Sequence, residues 1–412
     1  MRRLRRKTYL VTALLMLTWL IMPVQGLQSF SQKILSEGEI NYAPKGFLRA
    51  LGTEIVDENG RPIHLVGCWA KLMAPYTDYI FQDFPTHLQE AKELGMQTLR
   101  LGIDMEHYTI EPYEYNDNFF ATRGSVDDIV KWCNANGIYI IFQAIFQDEF
   151  SPFFSYKNGH GFPAWFAPSE YYTNDRAGRF KAWTDFWRGT PPQEDNKNQV
   201  IDAWKHVVAR YKNESCILAW EIPCNEPTSG SIGADEIKTL YYPFIRNLID
   251  AIRVIDPDRL IIVETLDADA YDLLAKAADI QRPNVAYDVH IYPAGSGVLN
   301  QIYDPTAPAI PDNPIWNKAK LEEWIVENIV NAFMREYNRP VIIGEADTTT
   351  TPEAGNWHQW YWDLYEILDK YGIWVTWGFR AGTGDIYALW NKDGSLKDYV
   401  DVLTAESTFV PA

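Results

Sequence analysis

Short apolar runs alternate with longer amphipathic segments eight times along this chain. Apolar runs flanked by turn residues predict buried strands, and the segments between them predict helices. This alternation is typical of a parallel sheet, and eight repeats favour a closed barrel. We therefore predict an α/β fold, a single (β/α)8 TIM barrel. The chain has 412 residues, of which 47% are hydrophobic, so a single barrel with insertions accounts for its size.

The alternation places each element along the chain. Strands are predicted over 63–69, 97–103, 138–144, 259–264, 285–290, 340–344 and 373–377, with a fourth strand that begins at 217 and ends in Asn225-Glu226-Pro227. Helices are predicted over 84–94, 126–136, 201–211, 234–255, 268–278, 318–337, 357–371 and 394–403. Asn59-Gly60 between apolar runs predicts a small hairpin before the first strand. Two long connections, 146–198 and 292–316, follow strand ends and so fall on the catalytic face, where their aromatic residues either pack on one another or line a cleft.

The N-terminal segment has the pattern of a secretory signal. Residues 1–7 are strongly basic, 10–24 are apolar apart from two threonines, and a proline and a glycine follow at 23 and 26. We therefore expect a signal peptide over 1–26, a linker over 27–45 and a catalytic domain over 46–412. The predicted location is extracellular, and a retained N-terminal membrane anchor is the alternative.

Charge and cysteine content limit the classes of partner. The net charge of −18 argues against nucleic acid, because binding phosphates needs clustered lysine and arginine. We expect a monomer that contacts a membrane only if the N-terminal segment is retained. The four cysteines form no disulfide framework and no zinc spacing. Cys133 and Cys216 fall at neighbouring places at the bottom of the predicted barrel, so one disulfide and two buried thiols are both open.

Three predicted strands end in complementary ionisable groups. Asn225-Glu226 ends the fourth strand, Asp288 and His290 end the sixth, and Gly344-Glu345 ends the seventh. Catalytic groups of such barrels lie at these carboxyl ends. Glu226 and Glu345 should therefore face one another across the barrel mouth. Two facing carboxyl groups, one protonated and one ionised, are the requirement for glycoside hydrolysis.

The combined pattern resembles glycoside hydrolase family 5, the cellulase-like retaining glycosidases of clan A, over residues 46–403. The residues that carry it, each at a strand end, are Arg100, Asn225-Glu226-Pro227, His290-Ile291-Tyr292, Gly344-Glu345 and Trp377. The resemblance implies that Glu226 is the general acid and base and Glu345 the nucleophile. It further implies that Arg100 keeps Glu345 ionised through hydrogen bonds, and that Asn225 binds the sugar 2-hydroxyl.

The remaining implied contacts surround this pair. Tyr292 would orient Glu345, His290 would lie beside Glu226, and Trp377 would stack under the sugar. The third strand departs from the family pattern, because Gln143 stands where a histidine is usual and can hydrogen-bond a sugar without titrating. This difference, together with Ala346 after the nucleophile, indicates a divergent branch of the family.

We expect a secreted retaining hydrolase that acts within a β-1,4-linked polysaccharide, a β-glucan or a β-mannan. Two carboxyl groups and water suffice for this reaction, so no cofactor and no metal is expected. An exo-acting β-glycosidase on oligosaccharides or glycoconjugates is the alternative within the class. A non-catalytic carbohydrate-binding protein on the same scaffold is the alternative outside it, although both glutamates are present. A metal-dependent hydrolase would need His-x-His after the first strand, and Gly67-Cys68-Trp69-Ala70-Lys71 offers none.

Overall fold

The computed structural model describes residues 47–72, 84–93, 95–122, 124–145, 162–166, 176–191, 193–225, 227–266, 280–291, 302–306, 315–346 and 357–378. All of them lie within one unit, which spans 44–410. The expected signal and linker, the predicted helices 268–278 and 394–403, Glu226 and Tyr292 lie outside the described residues.

The strands are β1 (Arg49–Leu51), β2 (Glu54–Val56), β3 (Val66–Leu72), β4 (Thr98–Ile103), β5 (Thr109–Glu111), β6 (Glu114–Tyr115), β7 (Tyr139–Gln143), β8 (Ile217–Ile222), β9 (Leu260–Glu264), β10 (Val285–Ile291), β11 (Ile302–Tyr303), β12 (Ile315–Trp316), β13 (Val341–Ala346) and β14 (Trp374–Gly378). Eight of these strands, β3, β4, β7, β8, β9, β10, β13 and β14, pair in parallel in chain order, and β14 pairs with β3. The predicted (β/α)8 barrel is thereby confirmed.

The helices are α1 (Phe84–Glu93), α2 (Met105–Tyr108), α3 (Asp117–Ala121), α4 (Val126–Asn136), α5 (Arg176–Arg188), α6 (Asn196–Tyr211), α7 (Ala234–Ile255), α8 (Lys318–Ile325) and α9 (Trp357–Lys370). The bounds of α4 and α7 match the prediction, and Gly137 ends α4 with a left-handed φ of 71°. The predicted helix 318–337 divides into α8 and a π-helical segment, Val326–Arg335. None of the described helices is both long and apolar enough to cross a bilayer.

The N-terminal hairpin explains why the first barrel strand begins later than predicted. β1 and β2 pair in antiparallel register, and Asn59-Gly60 then turns the chain so that Pro62 bridges back to Val56. Residues 63–65 were predicted as the start of the strand, but the amide of Ile63 donates to the carbonyl of Ile55 in this hairpin instead. The barrel pairing therefore starts only at Val66.

The outward faces of the barrel strands pack under the helices and form the main apolar core. Five described aromatics of the long 146–198 connection are buried in this core: Phe162, Phe166, Trp183, Phe186 and Trp187. Ring centroids of Trp183 and Trp187 are 5.6 Å apart, and both side chains are buried. For these residues the packing interpretation holds, and the rest of the connection's aromatics lie mostly outside the described residues.

The four cysteines are buried free thiols. The Sγ of Cys216 lies 3.5 Å from the carbonyl oxygen of Val130 on α4. The sequence left a disulfide and two buried thiols open for Cys133 and Cys216, and in the structure they are two buried thiols.

Candidate active site

Strand alternation turns Arg100 into the interior of the barrel. Its neighbours Leu99 and Leu101 belong to the apolar core around the barrel, and Arg100 is itself fully buried. Successive side chains of a strand point to opposite faces, so the guanidinium reaches the barrel axis. An always-charged guanidinium in this position requires anionic partners, because burying an unpaired charge is very costly.

Those partners come from four other strands of the barrel. The Nη1 of Arg100 lies 2.8 Å from the Oε1 of Glu345 on β13. Its Nε and Nη2 each lie 2.8 Å from an oxygen of Glu221 on β8, in a two-point contact. Nη2 also lies 3.0 Å from Glu264 on β9 and 3.3 Å from Asp288 on β10. The expected contact of Arg100 with Glu345 is present, within a larger cluster.

The same guanidinium holds the end of the fourth barrel strand. Nη2 of Arg100 donates to the Oδ1 of Asn225 over 2.8 Å. Gln143, at the end of β7, lies against both residues: with its amide oriented to match its neighbours, its oxygen is 3.2 Å from the Asn225 amide nitrogen and 3.2 Å from Arg100 Nη2. Arg100, Asn225 and Gln143 therefore meet at one place in the barrel, and their predicted contacts with the sugar stay predictions.

A change of register brings Glu345 and His290 side by side. The pairing of β10 with β13 shifts between Val289 and His290, so that His290 is paired with Glu345. The Nδ1 of His290 lies 3.9 Å from the Oε2 of Glu345, and its Nε2 lies 3.2 Å from Glu264 and 3.6 Å from Asp288. His290 was expected beside Glu226. The structure places it beside Glu345, and Glu226 lies outside the described residues.

The carboxyl groups below Glu345 are strongly affected by burial. Burial and the adjacent Asp288 raise the pKa of Glu221 to about 8, although Arg100 opposes the shift. Burial also raises the pKa of Glu264 well above its usual range, against the opposing charges of His290 and Arg100. For Asp288 burial acts in the same direction, but the hydrogen bond with Glu221 and the charge of Arg100 outweigh it, and its pKa lies below its usual range.

Glu264, Asp288 and His290 also offer ligand atoms that lie within 4.8 Å of one another. A metal ion among them would lie beside Arg100, whose Nη2 already contacts both carboxylates. Two cations in one buried site repel each other strongly. Arg100 already supplies a positive charge next to these two carboxylates.

Two expected site residues, Glu226 and Tyr292, lie outside the described residues, and a third is placed elsewhere. Trp377 is fully buried and packs edge-to-face on Tyr361 of α9, with ring centroids 5.1 Å apart. The expectation that Trp377 stacks under the sugar is wrong in this structure. Its ring faces the helix layer because alternation along β14 directs Thr376 inward, where its hydroxyl donates to the Gly344 carbonyl.

Sequence reasoning missed Glu221, and it named Asp288 without a role. Both occupy inward positions of buried strands, next to the outward Trp220 and Tyr287. A carboxylate within a predicted buried strand could have been identified from the sequence, because a buried charge needs a buried partner. The partner, Arg100, was already identified.

Comparisons with known proteins agree with this geometry. The model of the family described as Cellulase (glycosyl hydrolase family 5) matches residues 56–382. An endoglucanase from Clostridium saccharobutylicum is 24% identical over 248 residues, which are 60% of this chain and 43% of the relative. The chain thus spans less than half the length of that relative.

Solved structures with the same fold include endo-glycoceramidase II from Rhodococcus sp., with a TM-score of 0.64 and 19% identity over 87% of this chain and 81% of that chain. A β-glucanase from Saccharophagus degradans has a TM-score of 0.59 and 17% identity over 91% and 99% of the two chains. An endogalactoceramidase has a TM-score of 0.66 and 16% identity over 88% and 84%. At these identities the solved structures show a shared fold only. The family is shown by the family model, which matches most of the chain. This chain belongs to glycoside hydrolase family 5.

Proposed function

We propose that this protein is a retaining glycosidase that cleaves internal bonds of a β-1,4-linked glucan, with Glu345 as nucleophile and Glu226 as acid and base. One observation carries the proposal: Arg100 contacts Glu345 through Nη1 and Asn225, the residue before Glu226, through Nη2, each over 2.8 Å. A single rigid guanidinium thus ties together the ends of the two strands that supply the carboxyl groups. A double displacement requires its two carboxyl groups on either side of the scissile bond, and strand ends joined in this way support that role for Glu226 and Glu345.

The reaction proceeds in two balanced steps. Glu226 gives its proton to the glycosidic oxygen while Glu345 attacks the anomeric carbon, so the bond to the leaving sugar breaks as a glycosyl ester forms. Glu226, now ionised, takes a proton from water, and the resulting hydroxyl displaces Glu345. Arg100 stabilises the carboxylate that leaves in this second step, because its Nη1 lies against the Glu345 oxygen.

The choice of a glucan rests on relatives and on charge. The curated relative is an endoglucanase and one solved neighbour is a β-glucanase. A chain with a net charge of −18 is suited to a neutral polymer rather than an anionic one. Glycolipid headgroups are the second candidate, because two of the solved neighbours are endoglycosidases named for ceramide substrates.

A substrate panel tests both the substrate and the residues. Purified protein is incubated with β-1,4-glucan, β-1,4-mannan, lactosylceramide and aryl β-cellobiosides. Glu226→Gln and Glu345→Gln are compared with Glu236→Gln, a matched change at an exposed glutamate that pairs with Arg188. We expect glucan hydrolysis with a fast fall in viscosity, lost by about 10² to 10⁴-fold in the first two variants and kept in the third.

The two glutamates are then told apart by leaving group. With a dinitrophenyl β-cellobioside, which needs no protonation, Glu226→Gln should still release the phenol in a burst, and Glu345→Gln should not. Full glucanase activity in either variant would contradict the assignment. Slow viscosity loss with rapid release of small sugars would support exo action, lactosylceramide cleavage alone would support the glycolipid substrate, and binding without turnover would support a non-catalytic protein.

We also propose that the protein is exported. Support comes from the basic residues at 1–7 followed by the apolar stretch at 10–24. The test expresses the chain in a secreting host with and without residues 1–26, and measures the protein in the medium and its N-terminus. Protein found only in membranes with an uncleaved N-terminus would favour an anchor instead.

A further inference from the structure

One tryptophan of the barrel strands differs from the others in its exposure. Trp220, Trp374 and Trp377 lie on β8 and β14, and each is 2% exposed or less. Trp69 on β3 is only half-buried. Its indole nitrogen is buried, so the part of the ring that solvent reaches consists of carbon atoms. A strand of the barrel thus presents apolar aromatic surface to the outside.

The pairing of β3 with β4 shows which way Trp69 points. Trp69 is paired with Arg100, and paired residues of neighbouring strands project from the same face of a sheet. The Arg100 side chain contacts carboxyl groups inside the barrel, so the Trp69 side chain faces the interior as well. The preceding residue, Cys68, belongs to the apolar core around the barrel, as alternation requires.

The layer of residues below Trp69 closes the interior on that side. Gly67 faces the same way as Trp69 and is paired with Thr98 on β4 and with Thr376 on β14, and all three residues are buried. A Cβ on Gly67 would lie 2.1 Å from the carbonyl oxygen of Thr98, so this layer has no free space. The exposed surface of Trp69 therefore faces the carboxyl ends of the strands, where Glu345 lies.

The order of the strands places Trp69 on the side of the nucleophile. Only β14 lies between β3 and β13, the strand of Glu345, so the two strands are roughly 10 Å apart. β14 pairs Gly378, a residue without a side chain, with Trp69. β8, which leads to Asn225 and Glu226, is three strands away from β3. An apolar ring at Trp69 is thus nearer to the sugar that Glu345 receives than to the sugar that Glu226 releases.

We propose that Trp69 is the aromatic platform of the substrate site, and that it stacks on the part of the glucan that is transferred to Glu345. A β-1,4-linked glucose unit carries its hydroxyl groups around its edge and C–H groups on both faces, so its face fits a flat carbon surface. Trp377 cannot take this role while it packs against Tyr361, because it faces the helices. The inference rests on the proposed role of Glu345 as nucleophile.

The first measurement is the kinetics of dinitrophenyl β-cellobioside, in which the cellobiosyl unit is transferred and the leaving group is no sugar. We expect Trp69→Ala to raise KM and lower kcat/KM about tenfold, because the transferred sugar loses an apolar contact. Trp69→Tyr keeps a flat ring and should stay within about threefold. If Trp69→Ala impairs cleavage of the glucan but not of the aryl cellobioside, Trp69 contacts the leaving sugar and the proposal is wrong.

Trp132 supplies the matched control. It is half-buried like Trp69, but it lies on α4 and packs against the core outside the barrel. Trp132→Ala removes the same side chain from the helix layer, so KM for the aryl cellobioside should stay at the wild-type value. An equal rise in KM in both variants would mean that the loss of a tryptophan acts through the fold, and would contradict a platform at Trp69.

Fluorine NMR tests the contact without turnover. The Glu345→Gln protein is labelled with fluorotryptophan and titrated with cellotetraose, and the Trp69 resonance is identified by its loss in Trp69→Tyr. We expect this resonance to move along the binding curve measured by calorimetry, and the Trp132 resonance to stay. Binding with an unmoved Trp69 resonance, or no binding at all, overturns the inference. Movement in a protein whose wild type cleaves no glycoside would instead contradict the proposed function.

Discussion

At the scale of single residues, the contact between Gly344 and Asp288 determines how closely β10 and β13 approach inside the barrel. A Cβ built on Gly344 would lie 1.9 Å from the Oδ2 of Asp288. The site therefore needs glycine at 344, next to Glu345, for reasons of space. An added methyl group has to displace the Asp288 carboxylate, which also contacts Arg100.

We expect Gly344→Ala to lower stability by about 1–3 kcal/mol, the usual cost of overpacking, and kcat/KM by at least about tenfold. Urea unfolding and steady-state kinetics on the same preparation give the two numbers. Gly233→Ala is the control, since a Cβ there has no atom within 4 Å. A Gly344→Ala enzyme with wild-type stability and rate would mean that Asp288 has room to move.

A second residue-scale prediction concerns Trp377, which is buried against Tyr361. Trp377→Phe removes part of a core side chain, so we expect a stability loss of about 1–3 kcal/mol with KM for the glycan changed by less than about twofold. Thermal unfolding and KM for cello-oligosaccharides are the measurements. A rise in KM of tenfold or more with unchanged stability would restore the sugar-stacking role.

The sequence allowed Arg100, Asn225 and Glu345 to be placed together because each was predicted at the end of an apolar strand, and strand ends converge in a barrel. In the structure Arg100 lies within β4, and its long side chain reaches the other two residues. The sequence did not show which way the Trp377 side chain points. Successive side chains of β14 face opposite sides of the sheet, so a shift of one residue in register reverses their direction. Glu221 was missed for the related reason that it lies inside a strand. Its partners come from strands β4 and β10, far away in sequence.

At the scale of elements, the beginning of α8 is fixed by a side-chain cap. The Oδ1 of Asn317 accepts the backbone N–H of Lys320 over 2.9 Å, and Asn317 itself has extended backbone angles. Asn317→Ala should cost about 1 kcal/mol of stability, because the first-turn amide loses its acceptor. Urea unfolding measures it. Asn317→Asp keeps an acceptor oxygen and should lose far less, so an equal loss in both variants would contradict a capping role.

Element bounds were predictable where local signals are strong and less so where tertiary pairing competes. Gly137 ended α4 as expected, since a left-handed position favours glycine. The first barrel strand was predicted three residues early, at Ile63 instead of Val66, because alternation cannot show that Ile63 pairs with the hairpin. The π-helical turn after α8 likewise leaves the apolar periodicity of 318–337 almost unchanged, so no local pattern marks it.

At the scale of the whole molecule, the barrel closes where β14 meets β3, and His64 links the elements on either side of this closure. Its Nδ1 lies 3.5 Å from Asp369 in the last turn of α9, and its Nε2 lies 3.9 Å from Glu54 in the hairpin. Burial acts to lower the pKa of His64, but these two carboxylates outweigh it and raise the pKa to about 9. The folded protein therefore binds this proton more tightly than the unfolded chain, where the value is 6.5.

Because the pKa of His64 is higher in the folded protein than in the unfolded chain, its contribution to stability depends on pH. A raised pKa stabilises the fold fully below pH 6.5, and the contribution is lost as the pH rises through about 9. His64→Gln should therefore unfold at a lower temperature than the wild type at pH 6, and the difference should shrink toward pH 9.5. Glu54→Gln and Asp369→Asn together should lower the histidine pKa measured by NMR. If the difference in unfolding temperature between wild type and His64→Gln is the same at both pH values, His64 contributes through packing alone. A contribution from its charge has to change with pH, because the charge is lost as the pH rises.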